Sequence, residues 1–136
     1  MRYHVDKSDR LKKFMELVRD NPIPTDGVSV DWLKANNFKD RNDDQFLEIL
    51  EMLNFVDDGR KPNENWVTFQ NKSKSTSLMG KTLREKYSFV FEKYPSASNM
   101  SDANLQNVFI DNKFGKHQAA CAVRTLNTLL QFAGWM

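Results

Sequence analysis

The sequence predicts a mainly α protein, with a winged-helix-like N-terminal half carrying a small β-hairpin wing and packed on a helical C-terminal half. Three observations carry this reading. Residues 28–69 run helix, turn, helix, strand, acidic-Gly turn, strand, the order of a winged helix. Apolar residues recur at helical spacing on one side of several segments, as they do in helices with one buried face. The second half then repeats the order of the first: long helix, Ser-capped short helix, turn, long apolar helix.

Leu11, Phe14, Met15 and Val18 give a first helix over 9–20 its apolar face, with Ser8 or Asp9 as cap. Asn21-Pro22-Ile23-Pro24 ends it, because two prolines so close together cannot continue a helix. Ser29 or Asp31 opens a short second helix carrying Trp32 and Leu33, which ends near Asn36-Asn37. Asn42 caps a third, with Gln45 placed for a capping-box variant and Phe46, Ile49, Leu50 and Leu53 on a single stripe. Phe55-Val56 starts a strand, Asp57-Asp58-Gly59 turns it, and Trp66-Val67-Thr68-Phe69 returns it. Pro62 between them argues for an edge position or an irregular loop.

The polar run Asn71-Lys72-Ser73-Lys74-Ser75-Thr76-Ser77 is the best hinge candidate, dividing the chain into subdomains 1–71 and 72–136. A long helix over 77–93 follows, with Leu83, Tyr87, Val90, Phe91 and Tyr94 on one side, and Pro95 terminates it. Ser101 caps the next helix, which turns Leu105, Val108 and Phe109 inward. The last helix runs to about residue 133 on a stripe of Ala119, Ala122, Val123, Leu126, Leu129 and Leu130. Ser29-Val30-Asp31-Trp32-Leu33 aligns weakly with Ser101-Asp102-Ala103-Asn104-Leu105. Two tandem helix-turn-helix units and two unrelated helical subdomains explain that equally well.

Hydrophobic content of 40% and charged content of 28% are those of a folded globular chain, not a disordered one. One cysteine excludes an internal disulfide framework and suits a reducing compartment. No apolar run opens the sequence and no window has the length to span a bilayer, so the expectation is a cytoplasmic protein without a membrane partner. The net charge of +2 hides an asymmetry: residues 1–70 hold 11 Lys/Arg against 14 Asp/Glu, and residues 71–136 hold 9 against 4. Halves of opposite sign are expected to face different things.

The stretches Asn54-Phe55-Val56-Asp57-Asp58-Gly59-Arg60-Lys61-Pro62, Leu83-Arg84-Glu85-Lys86-Tyr87-Ser88 and Val123-Arg124-Thr125-Leu126 occur in this order over nearly the whole chain. In them the sequence resembles an uncharacterised prokaryotic family of small winged-helix-like proteins, catalogued only as a domain of unknown function. The resemblance implies an intact, mostly helical domain and no catalytic residues to carry over. Leu126 departs from the pattern, which favours an aromatic residue there.

The chain offers little catalytic chemistry. His117 and Cys121, at i and i+4 on the last helix, could share a face as a nucleophile pair or half a metal site. No third orienting or ligating residue is evident in the sequence, and the bland reading makes Cys121 a small core residue beside an exposed histidine. Asp43, Asp44, Glu48 and Glu51 gather carboxylates on the third helix, where Mg²⁺ binding competes with a plain solvated face. No phosphate loop, dinucleotide glycine pattern or zinc spacing is present. The expectation is therefore a non-enzymatic binding module with no catalytic residue, metal or cofactor.

That same acidic third helix would repel phosphates, so the first unit reads as a poor nucleic-acid reader, better suited to a protein partner. The cations of the second half, Lys72, Lys74, Lys81, Arg84, Lys113, Lys116 and Arg124, are the expected nucleic-acid-binding residues, for DNA more than RNA. The alternative is a protein–protein adaptor or small homo-oligomer that uses the acidic winged-helix face. The closing Gly134-Trp135-Met136 fits either core packing or burial in a second copy, with core packing favoured.

Overall fold

The computed structural model describes residues 2–135; Met1 and Met136 lie outside that range. Eight α-helices follow one another among the described residues. They are α1 (Ser8–Asp20), α2 (Val30–Ala35), α3 (Gln45–Met52), α4 (Glu64–Gln70), α5 (Ser75–Lys86), α6 (Ser88–Lys93), α7 (Asp102–Asp111) and α8 (Lys116–Phe132). A single 3-10 turn, Ala97–Asn99, links α6 to α7.

Helix α8 has the broadest apolar surface. Ala119, Ala122, Val123, Leu126, Leu129 and Leu130 are all buried, so it must be covered from several sides. It packs against α1, α5 and α7, while α4 bridges α1 and α5. One hydrophobic core accordingly holds Phe14 and Phe69 together with Leu83 and Leu126. Leu126, at the position where the sequence reading expects an aromatic residue, is fully buried in it. Thr125 and Thr128, also buried on α8, donate to the carbonyls of Cys121 (2.8 Å) and Arg124 (2.9 Å), so their hydroxyls carry no unmet polarity.

The β-hairpin wing is not present. Among the described residues there is no strand, only an isolated antiparallel bridge between Val56 and Pro62. Pro62 has no N–H to donate, which stops a ladder there. The acidic turn does form: the Asp57 carboxylate accepts from the Gly59 and Lys61 N–H groups, both at 2.9 Å. The segment expected to return as a strand is α4. Alternation would send Trp66 and Phe69 to opposite faces of a sheet. Both are buried while Val67 between them is 56% exposed, and only helical spacing of i and i+3 satisfies that. Asn63 starts the helix by accepting from the Asn65 N–H at 2.9 Å.

Other expectations need correction too, beginning with the cap of α1, where Lys7 rather than Ser8 or Asp9 takes the N-cap position without a side-chain bond. The long helix over 77–93 is two helices, because the backbone turns out of helical geometry at Tyr87 (φ −108°, ψ 34°). That break lets the buried Tyr87 hydroxyl donate to the Tyr3 carbonyl at 3.0 Å. Burial raises its pKa far above the ordinary phenol value, with Tyr3 adding to the effect. Asn42 does not cap the third helix either. It sits at φ +73° and donates from its side chain to Asp6 at 3.2 Å; Asp44 takes the N-cap position of α3 without a side-chain cap. The polar run at 71–77 contributes only residues 71–74 as connection, folded by Asn71 accepting from the Ser73 N–H (3.0 Å) and hydroxyl (2.7 Å).

Four helices end in the same way. After α2, α3, α7 and α8 a residue in the left-handed region (Asn37, Asn54, Lys113, Gly134) is followed by an aromatic one (Phe38, Phe55, Phe114, Trp135). The N–H of each aromatic residue donates back to Leu33, Leu50, Phe109 and Leu130 respectively, between 2.8 and 3.2 Å. This is the Schellman arrangement, with the aromatic ring making the accompanying hydrophobic contact. Lys113, at φ +76°, is the residue least suited to its place. Lys113→Gly is expected to stabilise the fold by about 0.5–1 kcal/mol and raise the melting temperature by about 2–3 °C. A thermal melt with no rise would show that Lys113 makes compensating contacts.

Residues 2–7 lie extended across the two halves. The Val5 N–H donates to Thr125 Oγ1 on α8 at 3.0 Å, and the Asp6 N–H donates to Gln45 Oε1 on α3 at 3.0 Å.

Candidate nucleic-acid interface

All seven cations expected to bind nucleic acid have exposed side chains. Lys116 and Arg124 share the outward stripe of α8 with Asn127 and Gln131, since positions spaced by three, four and eight residues stay on one side. Lys113 precedes that stripe on the turn after α7. Lys72 meets its far end, where it borders a groove with Gln131 and Gln70. Lys81 and Arg84, one turn apart on α5, line a neighbouring groove beyond the end of α8. The seven therefore fall into two groups at opposite ends of α8, about 25 Å apart at 1.5 Å per residue, with Arg124 between them. Lys74 stands exposed at the 71–74 connection.

The α5 groove has an aromatic floor. Trp135 is half-buried against α5, meets Phe91 edge-on at 6.0 Å between ring centroids, and carries the Arg84 guanidinium over its face at 4.6 Å. Gly80 makes room for it: a β-carbon there would lie 2.8 Å from the indole. A mid-helix glycine costs roughly 1 kcal/mol against alanine, and here it admits the ring. Glu85 is the one acid on this groove, and it forms no ion pair with Lys81 or Arg84.

Among the described residues, all six ion pairs join groups from residues 2–60. None uses any of the seven cations. Lys72 does act on an acid: after the larger effect of the Arg19 hydrogen bond, its charge helps to hold the Asp20 carboxyl below the usual range.

The acidic third helix is not a bare negative face. Arg10 forks onto Asp43, which is only 2% exposed, and Asp43 also accepts from the Asp40 N–H at 2.9 Å. Hydrogen bonding to Asp43 raises the Arg10 pKa above its ordinary value. Arg2 pairs with Glu48 and Arg60 with Glu51, each at 2.9 Å, which leaves Asp44 as the member of the four without an ion pair. Those arginines come from the N-terminal segment, α1 and the acidic turn, so no local reading of 42–53 could find them.

A third partner for His117 and Cys121 was likewise hidden in the sequence. Asp6, from the extended N-terminal segment, places a carboxylate oxygen beside them, and the three ligand atoms lie within 4.8 Å of one another. Cys121 Sγ stands 3.7 Å from His117 Nε2 and accepts from Arg124 Nη2 at 3.2 Å. Nearby His4 has its pKa lowered, first by burial and then by Arg2.

No helix is long and apolar enough to cross a membrane among the described residues. The family model that matches the chain is described as a Family of unknown function (DUF5343), and it matches residues 4–136. No curated protein matches the chain, and no solved structure does.

Proposed function

The chain belongs to that family of unknown function, and we propose that it is a non-enzymatic module that binds nucleic acid through the basic C-terminal half, DNA in preference to RNA. The observation that carries the reading is the unneutralised state of those cations. Every ion pair among the described residues lies within residues 2–60, so the positive charge from Lys72 to Arg124 is free to meet phosphates. The two cationic groups flank the outward stripe of α8, where Arg124 and Gln131 supply donors that reach either phosphate or base edges, while the Asn127 amide is held by Asp102. The Trp135 groove adds a flat ring beside Lys81 and Arg84, a combination that suits an unpaired base next to its phosphate. A prokaryotic cytoplasm is the setting that goes with this reading, since a single cysteine suits a reducing compartment.

Fluorescence anisotropy with labelled duplex DNA, single-stranded DNA and RNA at low salt tests the proposal. Binding is expected to weaken linearly on a logarithmic salt scale. Single alanine substitutions of Lys81, Arg84, Lys116 and Arg124 should each flatten that slope by about one unit if the side chain meets a phosphate. Flat titrations with all three nucleic acids overturn the reading. The adaptor or homo-oligomer alternative would keep a bound partner in the same experiment's absence of nucleic-acid signal, but three of its four acids are already paired with arginines.

A further inference from the structure

We propose that Asp6, His117 and Cys121 form a binding site for a single divalent transition-metal ion of the zinc class. The donor set is one carboxylate, one imidazole and one thiolate, which is the borderline-soft mixture that zinc takes. Bond lengths of about 2.3 Å to sulfur and 2.0–2.1 Å to nitrogen put two tetrahedral ligands roughly 3.6 Å apart. Cys121 Sγ and His117 Nε2 stand at 3.7 Å. Their i, i+4 spacing on α8 provides that separation without any change of backbone. The Asp6 oxygen lies within 4.8 Å of both and supplies the third corner.

The surroundings hold the ligands as an outer shell holds a metal site. Asp6 Oδ2 accepts from Asn42 Nδ2 at 3.2 Å and from Gln45 Nε2 at 3.1 Å, so the carboxylate is held by two outer donors. The Asp6 N–H is bound by Gln45 Oε1, and the neighbouring Val5 N–H by Thr125 Oγ1, which itself donates to the Cys121 carbonyl. The segment bearing the carboxylate is thus tied to the turn of α8 bearing the sulfur. Arg124 Nη2 donates to Sγ at 3.2 Å and can remain as an outer donor to it. The thiolate and carboxylate together balance the ion's two charges, and exposed Asp6 and His117 leave the fourth position to water. A nucleophilic Cys–His–Asp arrangement fits less well: Cys121 is 1% exposed, which admits a small ion between its sulfur and the imidazole but not a bulky electrophile.

The test is titration of the full-length reduced protein with Co²⁺, read by optical absorption, and with Zn²⁺, read by calorimetry. One ion should bind per chain, and Co²⁺ should develop the near-ultraviolet charge-transfer band of a cobalt–thiolate bond. Cys121→Ser is expected to abolish that band. His117→Ala and Asp6→Asn, both at exposed positions and so safe for folding, should each weaken Zn²⁺ binding at least tenfold, and Gln45→Ala about tenfold through loss of the outer shell. His4→Gln should leave band and affinity in place. Absence of the band from the unaltered protein overturns the proposal. So does a band that survives Cys121→Ser, or Zn²⁺ affinity unchanged in both His117→Ala and Asp6→Asn.

Discussion

Asp43→Ala is expected to destabilise the protein by about 3 kcal/mol, the lower end of the range for stranding one partner of a buried ion pair. The carboxylate is 2% exposed and meets both a forked guanidinium and the Asp40 N–H, so its removal takes the acceptor from three N–H donors. Arg10 retains access to solvent and a second contact to Asp40 at 3.4 Å, which places the cost at the lower end. Its guanidinium also covers the Phe38 ring at 5.3 Å, so the disturbance reaches the turn between α2 and α3. Urea denaturation should show the loss as a shifted midpoint at constant slope, and the melting temperature should fall by about 10 °C. A cost under 1 kcal/mol would mean the pair behaves as a solvent-screened surface contact.

Trp66→Ala should be as severe, at about 3–5 kcal/mol, because it empties the largest fully buried side chain in the core. The indole meets Trp32 edge-on at 6.0 Å between centroids and donates to the Val18 carbonyl at 3.2 Å, fastening α4 to α1 and α2. Trp66→Phe separates the two contributions. Gln70 Nε2 also donates to the Val18 carbonyl, at 2.9 Å, so no buried acceptor is orphaned and the loss should be about 1–2 kcal/mol. Equal losses for the two variants would show that the hydrogen bond outweighs the packing. Chemical denaturation followed by circular dichroism distinguishes the cases.

Helical segments with one apolar stripe were legible residue by residue. The buried set Leu11, Phe14, Met15 and Val18 on α1, and the six-residue stripe of α8, follow directly from spacing. So do the caps at Ser29 and Ser101, which accept from the Trp32 and Asn104 N–H groups at 3.1 and 3.2 Å. The wing was misread because Trp66-Val67-Thr68-Phe69 has strand-forming residues in a four-residue window, too short for period alone to separate helix from strand. What decided it was Asn63 as a cap and a partner for Trp66 on α1, one local and one 48 residues away. The candidate interface was legible as charge, since an excess of cations after residue 70 needs no structure to be seen. Its division into two groups was not, because that depends on where the end of α8 meets α5. The Asp6–His117–Cys121 cluster was half legible: the helical pair is in the spacing, and the third ligand arrives from the opposite end of the chain.

The segment at residues 2–7 bears on how the protein folds. Val5 finds its hydrogen-bond partner in Thr125, 120 positions later in the sequence. Helix α1 likewise waits for α8 to cover it. Phe14 meets Trp32, Phe38 and Phe46 close by in sequence, so the α1–α3 cluster can assemble from local contacts. Its docking on α8 needs a contact of high sequence separation, which makes that seam the slow step in closing the fold.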